Sequence, residues 1–235
     1  VGLFGFKLVE KNFIKNMIEA ENFAIEVETF VDKIIKENKF NKIIQVGSND
    51  GVTDDYIKSI INKYNLKGIL IEPSPDAFKK LKENYSDIRN INFINKALDK
   101  KNITKKFYQV DKKFLNSYHK NINVLSSFSK AHLIKWGIKS NHIETINVEC
   151  INWTKIFTDY NFEDVQIVCI DTEGYDHVLV ENLISETKAR PVIVFEWVNI
   201  PNIELKKTFS ILKKSNYEFM KFQKDLICYR PNVII

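Results

Sequence analysis

An apolar run that breaks into a glycine-bracketed polar loop constrains this chain most. It reads Lys42-Ile43-Ile44-Gln45-Val46-Gly47-Ser48-Asn49-Asp50-Gly51-Val52, and a helical pattern over Thr53 to Tyr64 follows at once. A buried strand therefore delivers a loop, and a helix N-terminus faces whatever the loop holds. Gly47 and Gly51 let the backbone take positive φ and approach a ligand closely. A second run, Gly68-Ile69-Leu70-Ile71, ends in Glu72, 25 positions after Gly47. Nucleotide-binding βαβ units place a ribose-binding acid at about that separation. The two loops are expected to form one adenosine pocket.

The rest of the chain repeats this alternation. Ile91 to Ile94, Val165 to Ile170 and Pro191 to Phe195 read as further strands, with helices following Pro75, Tyr175 and Ile203. Pro73 and Pro75 stiffen the turn after Glu72, and Ser74 suits the cap of the next helix. Thr53 or Asp54 is the expected cap of the helix after the glycine loop. Residues 99–152 are too long for one crossover, and alternation over 105–110 and 143–151 predicts an insertion with its own hairpin. Tyr217 to Phe222 and Leu226 to Tyr229 flank Gln223-Lys224-Asp225, a terminal antiparallel hairpin. Residues 9–38 carry apolar positions at helical spacing, from Phe13 to Ile35. That helix could cover the site, sit on the sheet edge or join two copies of the chain as a homo-oligomer. The expected organisation is a helical extension over 1–40 and one α/β domain over 41–235, a doubly wound, mostly parallel sheet closed by the hairpin.

Composition bounds the function. Apolar residues make up 44% of 235, with 17 Phe and only 5 Pro, which suits a packed core and argues against disorder. The net charge is +5, yet only Arg89, Arg190 and Arg230 of the 35 basic residues are arginine. Nucleic-acid surfaces are usually richer in arginine, so the charge argues against a nucleic-acid partner. Cys150, Cys169 and Cys228 are odd in number, sit in apolar runs and form no CxxC pair, which reads as buried thiols in a reducing, cytoplasmic setting. The apolar stretch Val1 to Leu8 is too short to span a bilayer, and no complete signal peptide is visible, so no transmembrane segment is expected.

In open α/β sheets ligands sit beyond the carboxyl ends of the strands. Asp50, Glu72, Asp171 and Glu196 fall at or just after such ends. The cofactor alternatives are NAD(P) and S-adenosylmethionine. The loop lacks the G-x-G-x-x-G spacing that seats a pyrophosphate, and Asp50 would repel phosphate while suiting the ammonium of a sulfonium cofactor.

The chain resembles the FkbM-type methyltransferases, a branch of the class I S-adenosylmethionine-dependent enzymes. The segments carrying the resemblance are Val46–Gly51, Ile71–Pro75 with Phe78 and Leu81, Asn95–Leu98, Ser126–Phe128 and Ile170–Asp176, spanning roughly residues 43–197. The resemblance implies a seven-stranded sheet and use of S-adenosylmethionine, with S-adenosylhomocysteine as product. It implies that Gly47, Ser48, Asn49 and Asp50 face the methionine end, that Glu72 takes the ribose hydroxyls, and that Pro73, Ser74 and Ala97 flank the adenine. Asp171 and Glu173 would stand at the substrate side of the methyl group. One departure is Gln45, where many class I enzymes place an acid, which would shift weight onto Asp50. Family members methylate hydroxyls of sugars, glycans and polyketide-type metabolites, so O-methylation of a small-molecule or glycan acceptor is implied.

Methyl transfer to a hydroxyl needs in-line alignment and a base for the proton. Asp171, Glu173, His177 and Glu196 are the candidates. Each also has a structural reading: a helix cap, a first-turn acid, a surface histidine and a sheet-end ion pair. Paired acids could instead hold a divalent metal, but no third ligand stands at suitable spacing, and no metal is assigned. His119, His132 and His142 fall in the insertion and read as structural or exposed. Trp136 and Trp153 read as packing residues, and Trp197 as the best pocket wall. The competing functions are methylation of RNA or protein, a noncatalytic adenosine-ligand or partner-binding module, and an NAD-dependent oxidoreductase, the last disfavoured by glycine spacing.

Overall fold

The computed structural model describes residues 27–53, 55–119, 122 and 125–235. In chain order its elements are α1 (Val27–Asn38), β1 (Lys42–Val46), α2 (Ile57–Tyr64), β2 (Lys67–Ile71), α3 (Pro75–Asn84), β3 (Ile91–Ile94), β4 (Ala97–Leu98), β5 (Thr104–Val110), β6 (Ser126–Ser127), α4 (Lys130–Lys135), β7 (Ile143–Ile151), α5 (Trp153–Tyr160), β8 (Ile167–Ile170), α6 (Asp176–Glu186), β9 (Val192–Glu196), α7 (Asn202–Lys214), β10 (Glu218–Phe222) and β11 (Asp225–Tyr229).

Seven strands form the main sheet in the order β3-β2-β1-β8-β9-β11-β10. The first five run parallel, and β11 is antiparallel to both β9 and β10. This is the fold class expected from the sequence, down to the hairpin. Alternation along β1 feeds two cores. Ile44 and Val46 meet Trp153, Phe157, Leu179 and Leu212 from α5, α6 and α7 on one face. Ile43 meets Val31, Ile34, Ile60 and Leu81 from α1, α2 and α3 on the other. A second, four-stranded sheet, β4-β7-β5-β6, is built around the antiparallel pair β5 and β7. It occupies the stretch expected to be an insertion.

The predicted helix over residues 9–38 is described only as α1. Its remainder lies outside the described residues. Val31, Ile34 and Ile35 are each at most 1% exposed, so α1 belongs to the domain core. Burying such a side chain contributes about 1.5–3 kcal/mol.

The helix after the glycine loop starts later than Thr53. Asp50 accepts hydrogen bonds from the N–H groups of Val52 (3.0 Å) and Thr53 (2.8 Å) and holds them in a turn. Asp55 then takes the Ile57 N–H at 2.7 Å, and the helix begins there. Asp54 lies outside the described residues. Ser74 does not cap α3 through its side chain. Its hydroxyl donates instead to Gln109 Oε1 at 3.0 Å. Among the described residues no helix is long and apolar enough to cross a membrane.

Candidate active site

Register brings the strand-end residues together. Val46 pairs with Ile71 on one side and Ile170 on the other, and Ile170 pairs with Phe195. The next residue in each strand is Gly47, Glu72, Asp171 or Glu196, so these four form one row along the carboxyl edge. The chain order reverses at β1, whose neighbours are β2 and β8, and such switch points open a crevice. Here the crevice is a cleft of about 1340 Å³.

Gly47 is required at its position. Its φ is +79°, and a Cβ there would lie 1.8 Å from the Asp171 carbonyl oxygen. The loop can therefore lie close over β8. The Gly47 and Ser48 N–H groups both donate to the Ile71 carbonyl, at 3.0 and 3.1 Å. Glu72 is 4% exposed and accepts from the N–H groups of Asn49 (2.9 Å) and Ser74 (2.7 Å). It thus ties the glycine loop to the proline turn. Burial pushes its carboxyl up to about 7 despite those bonds. Asn95 fastens the same turn from β3's end, donating to the Glu72 and Pro73 carbonyls at 2.8 and 3.2 Å.

On the other side of β1, Asp171 is open to the cleft. Burial against the surrounding protein and the nearby Glu196 and Glu173 charges push its carboxyl up to about 7. Its exposed surface faces the cleft, where water moderates that rise until a ligand excludes it. Glu173 has φ +54°, and its carboxylate meets His132 Nε2 at 2.9 Å and Asn199 Nδ2 at 3.4 Å. The Asn199 amide also donates to Glu196 Oε2 at 2.6 Å, and Lys224 Nζ stands 3.9 Å from Glu196 Oε1. Burial, then the Glu173 charge, raises the Glu196 carboxyl. Asp176, fully buried, shapes the turn that carries Asp171 and Glu173: it accepts from Thr172 N–H (3.3 Å), Thr172 Oγ1 (3.1 Å) and Gly174 N–H (3.2 Å).

The cleft is lined by Gly47, Ser48, Asn49, Glu72, Pro73, Ala97, Asp171 and Glu173 among the residues singled out from the sequence. Five of the residues singled out from the sequence stand elsewhere. Asp50 spends its carboxylate on its own loop and faces a smaller neighbouring cavity of about 90 Å³. Ser74 faces that same cavity. Glu196 lies behind Asp171 rather than on the cleft wall, and His177 turns its Nδ1 to the Gly174 carbonyl at 3.1 Å. Trp197 is no pocket wall either: its Nε1 donates to the Gln223 carbonyl at 3.2 Å, and Lys221 lies over its ring at 4.7 Å. The aromatic wall comes from the insertion and α6's entry, where Phe128 stands between Phe107 (5.4 Å) and Tyr175 (5.1 Å). Among the described residues no group of His, Cys, Asp or Glu is arranged to hold a metal ion.

Sequence reasoning missed His132, Asn199, Asp176 and Asp55. His132 is 41 positions from Glu173 and Asn199 is 26, so only the fold joins them. Asp176 had a local signal, as an acid opening a helix behind a turn.

Residues 45–219 match the Methyltransferase FkbM domain. The chain belongs to the FkbM methyltransferase family. Its fold is also that of the methyltransferase FkbM from Methylobacillus flagellatus, at a TM-score of 0.50 and 14% identity over 81% of this chain and 44% of that one. This FkbM methyltransferase thus spans less than half the length of that protein. A ribosomal protein L11 methylase from Lactobacillus delbrueckii subsp. bulgaricus aligns at a TM-score of 0.45 and 12% identity, over 88% of this chain and 80% of that one. No curated protein matches the sequence.

Proposed function

We propose that this methyltransferase transfers the methyl group of S-adenosylmethionine to a hydroxyl of a sugar, glycan or small metabolite. The observation carrying the reading is the row Gly47, Glu72 and Asp171 on one cleft, with a ribose-suited acid on one side of β1 and a base-suited acid on the other. The residues present fit the cofactor. Glu72 offers a fixed carboxylate at the end of β2, Ala97 and Pro73 offer an apolar edge beside it, and Gly47 leaves the loop bare of side chain. When bound, S-adenosylmethionine supplies a methyl group already activated on a sulfonium.

The chain then has to bind, orient and deprotonate. Asp171 is the base on this reading, because it stands at the end of β8 open to the cleft and its carboxyl is raised to about 7. A carboxylate of ordinary strength would take a hydroxyl proton poorly, and raising it toward the working pH makes the transfer easier. Glu173 and Glu196 stabilise the protonated form of Asp171 by their charge. His132 and Asn199 keep Glu173 in place. Orientation accounts for the larger share, on the order of 7–11 kcal/mol in favourable cases.

Incubating the protein with labelled S-adenosylmethionine and a panel of hydroxyl, RNA and protein acceptors tests the proposal. Label in a hydroxyl compound supports it. Label only in RNA or protein would replace it.

A further inference from the structure

Among the described residues, no cation stands between a carboxylate and an amide on the cleft wall beside the glycine loop. Gln45 stands on β1 opposite Cys169, and both Gln45 and Asp55 line the cleft. Gln45 Nε2 donates to Asp55 Oδ1 at 3.4 Å. Only that orientation lets the amide meet a carboxylate, and it leaves Gln45 Oε1 buried with no hydrogen-bond partner among the described residues. The other partners of Asp55 are neutral too: the Ile57 N–H at 2.7 Å and the Tyr85 hydroxyl at 3.3 Å. Burial raises the Asp55 carboxyl, and the nearby Asp50 charge pushes the same way. Asp50 itself accepts three hydrogen bonds from Val52 and Thr53 and faces away, toward the smaller cavity.

A buried carboxylate without a countercharge and a buried carbonyl without a donor are both unfavourable. One ammonium between them offsets both, since it brings a positive charge and three donors. We propose that Asp55 and Gln45 together receive the ammonium of the cofactor's amino-acid end. The position where an acid is expected on β1 thus holds an amide, and the negative charge comes from the turn that leads into α2 instead. This rests on the reading that S-adenosylmethionine occupies the cleft.

Calorimetry with two probes tests it. S-adenosylhomocysteine carries the ammonium, and 5′-methylthioadenosine has the same nucleoside and sulfur without the amino-acid end. Asp55→Asn keeps an oxygen for the Ile57 N–H and removes the charge. It should weaken S-adenosylhomocysteine by about tenfold or more, the usual loss for a charged hydrogen bond, and leave methylthioadenosine within about twofold. Gln45→Met, which fills the space without an acceptor, should weaken only S-adenosylhomocysteine, by roughly threefold to tenfold. Equal losses for both probes, or none for either, would overturn the ammonium assignment while leaving the cofactor reading in place. A wild-type protein that binds neither probe would overturn the cofactor reading, and this inference with it.

Discussion

Glu72 and Asp171 are carboxyls kept where their charge is disfavoured. For each, the folded protein raises the carboxyl to about 7. The consequence for stability has a definite sign. Ionising a raised acid opposes folding, so the opposition is absent below about pH 4, where the unfolded carboxyl is also protonated, and complete above about pH 7. Asp171→Asn should therefore raise the thermal midpoint of the free protein increasingly between about pH 4 and pH 8, while lowering turnover throughout. Calorimetric melts across that range check it, and a midpoint that does not move with pH would show that Asp171 is well solvated. Wild-type turnover should rise through about pH 7 as Asp171 loses its proton. Glu72→Gln would set an NH2 group against one of the two N–H donors that Glu72 now serves. S-adenosylhomocysteine affinity should fall by more than about tenfold, and unchanged affinity would remove Glu72 from the ribose site. The strand-end residues were legible because a buried strand's last residue and the next can be counted directly. Asp50 and Asp55 were not separable that way, since which of two nearby acids faces the cleft depends on the turn between them.

Elements were legible wherever apolar periodicity was unbroken. The parallel strands and the terminal hairpin follow from runs such as Val165 to Ile170 and from the turn Gln223-Lys224-Asp225. The start of α2 was not, because the Asp50 turn overrides the helical pattern. The turn from Asp171 to Gly174 depends on Asp176, which is buried and bonded to three of its groups. Asp176→Ala would leave the Thr172 and Gly174 N–H groups without that acceptor. A loss of about 1–3 kcal/mol is expected, read as a lower denaturation midpoint. Turnover should fall more than cofactor affinity, because the turn carries Asp171 and Glu173 and not the β2 loop. An unaltered midpoint would show that the turn holds itself.

For the molecule as a whole, helical spacing alone leaves the place of the N-terminal helix open, and α1 packs into the core of the domain. Val31, Ile34 and Ile35 are buried against β1, α2 and the hairpin, and Asn38 exchanges two 2.9 Å hydrogen bonds with Ile234. Those three side chains together contribute roughly 4.5–9 kcal/mol, comparable to the net stability of a domain. A chain lacking residues 1–38 should lose cooperative unfolding in a circular-dichroism melt, and a native-like melt would show that α1 is dispensable. The central claim is that one cleft takes an adenosyl sulfonium cofactor across β1, its sugar on the β2 side and its methyl group toward Asp171. A crystal structure with S-adenosylhomocysteine tests it most directly. The ribose hydroxyls should lie within hydrogen-bond distance of Glu72 with the sulfur on the Asp171 side. A ligand seated elsewhere, or with its sugar away from Glu72, would contradict the account.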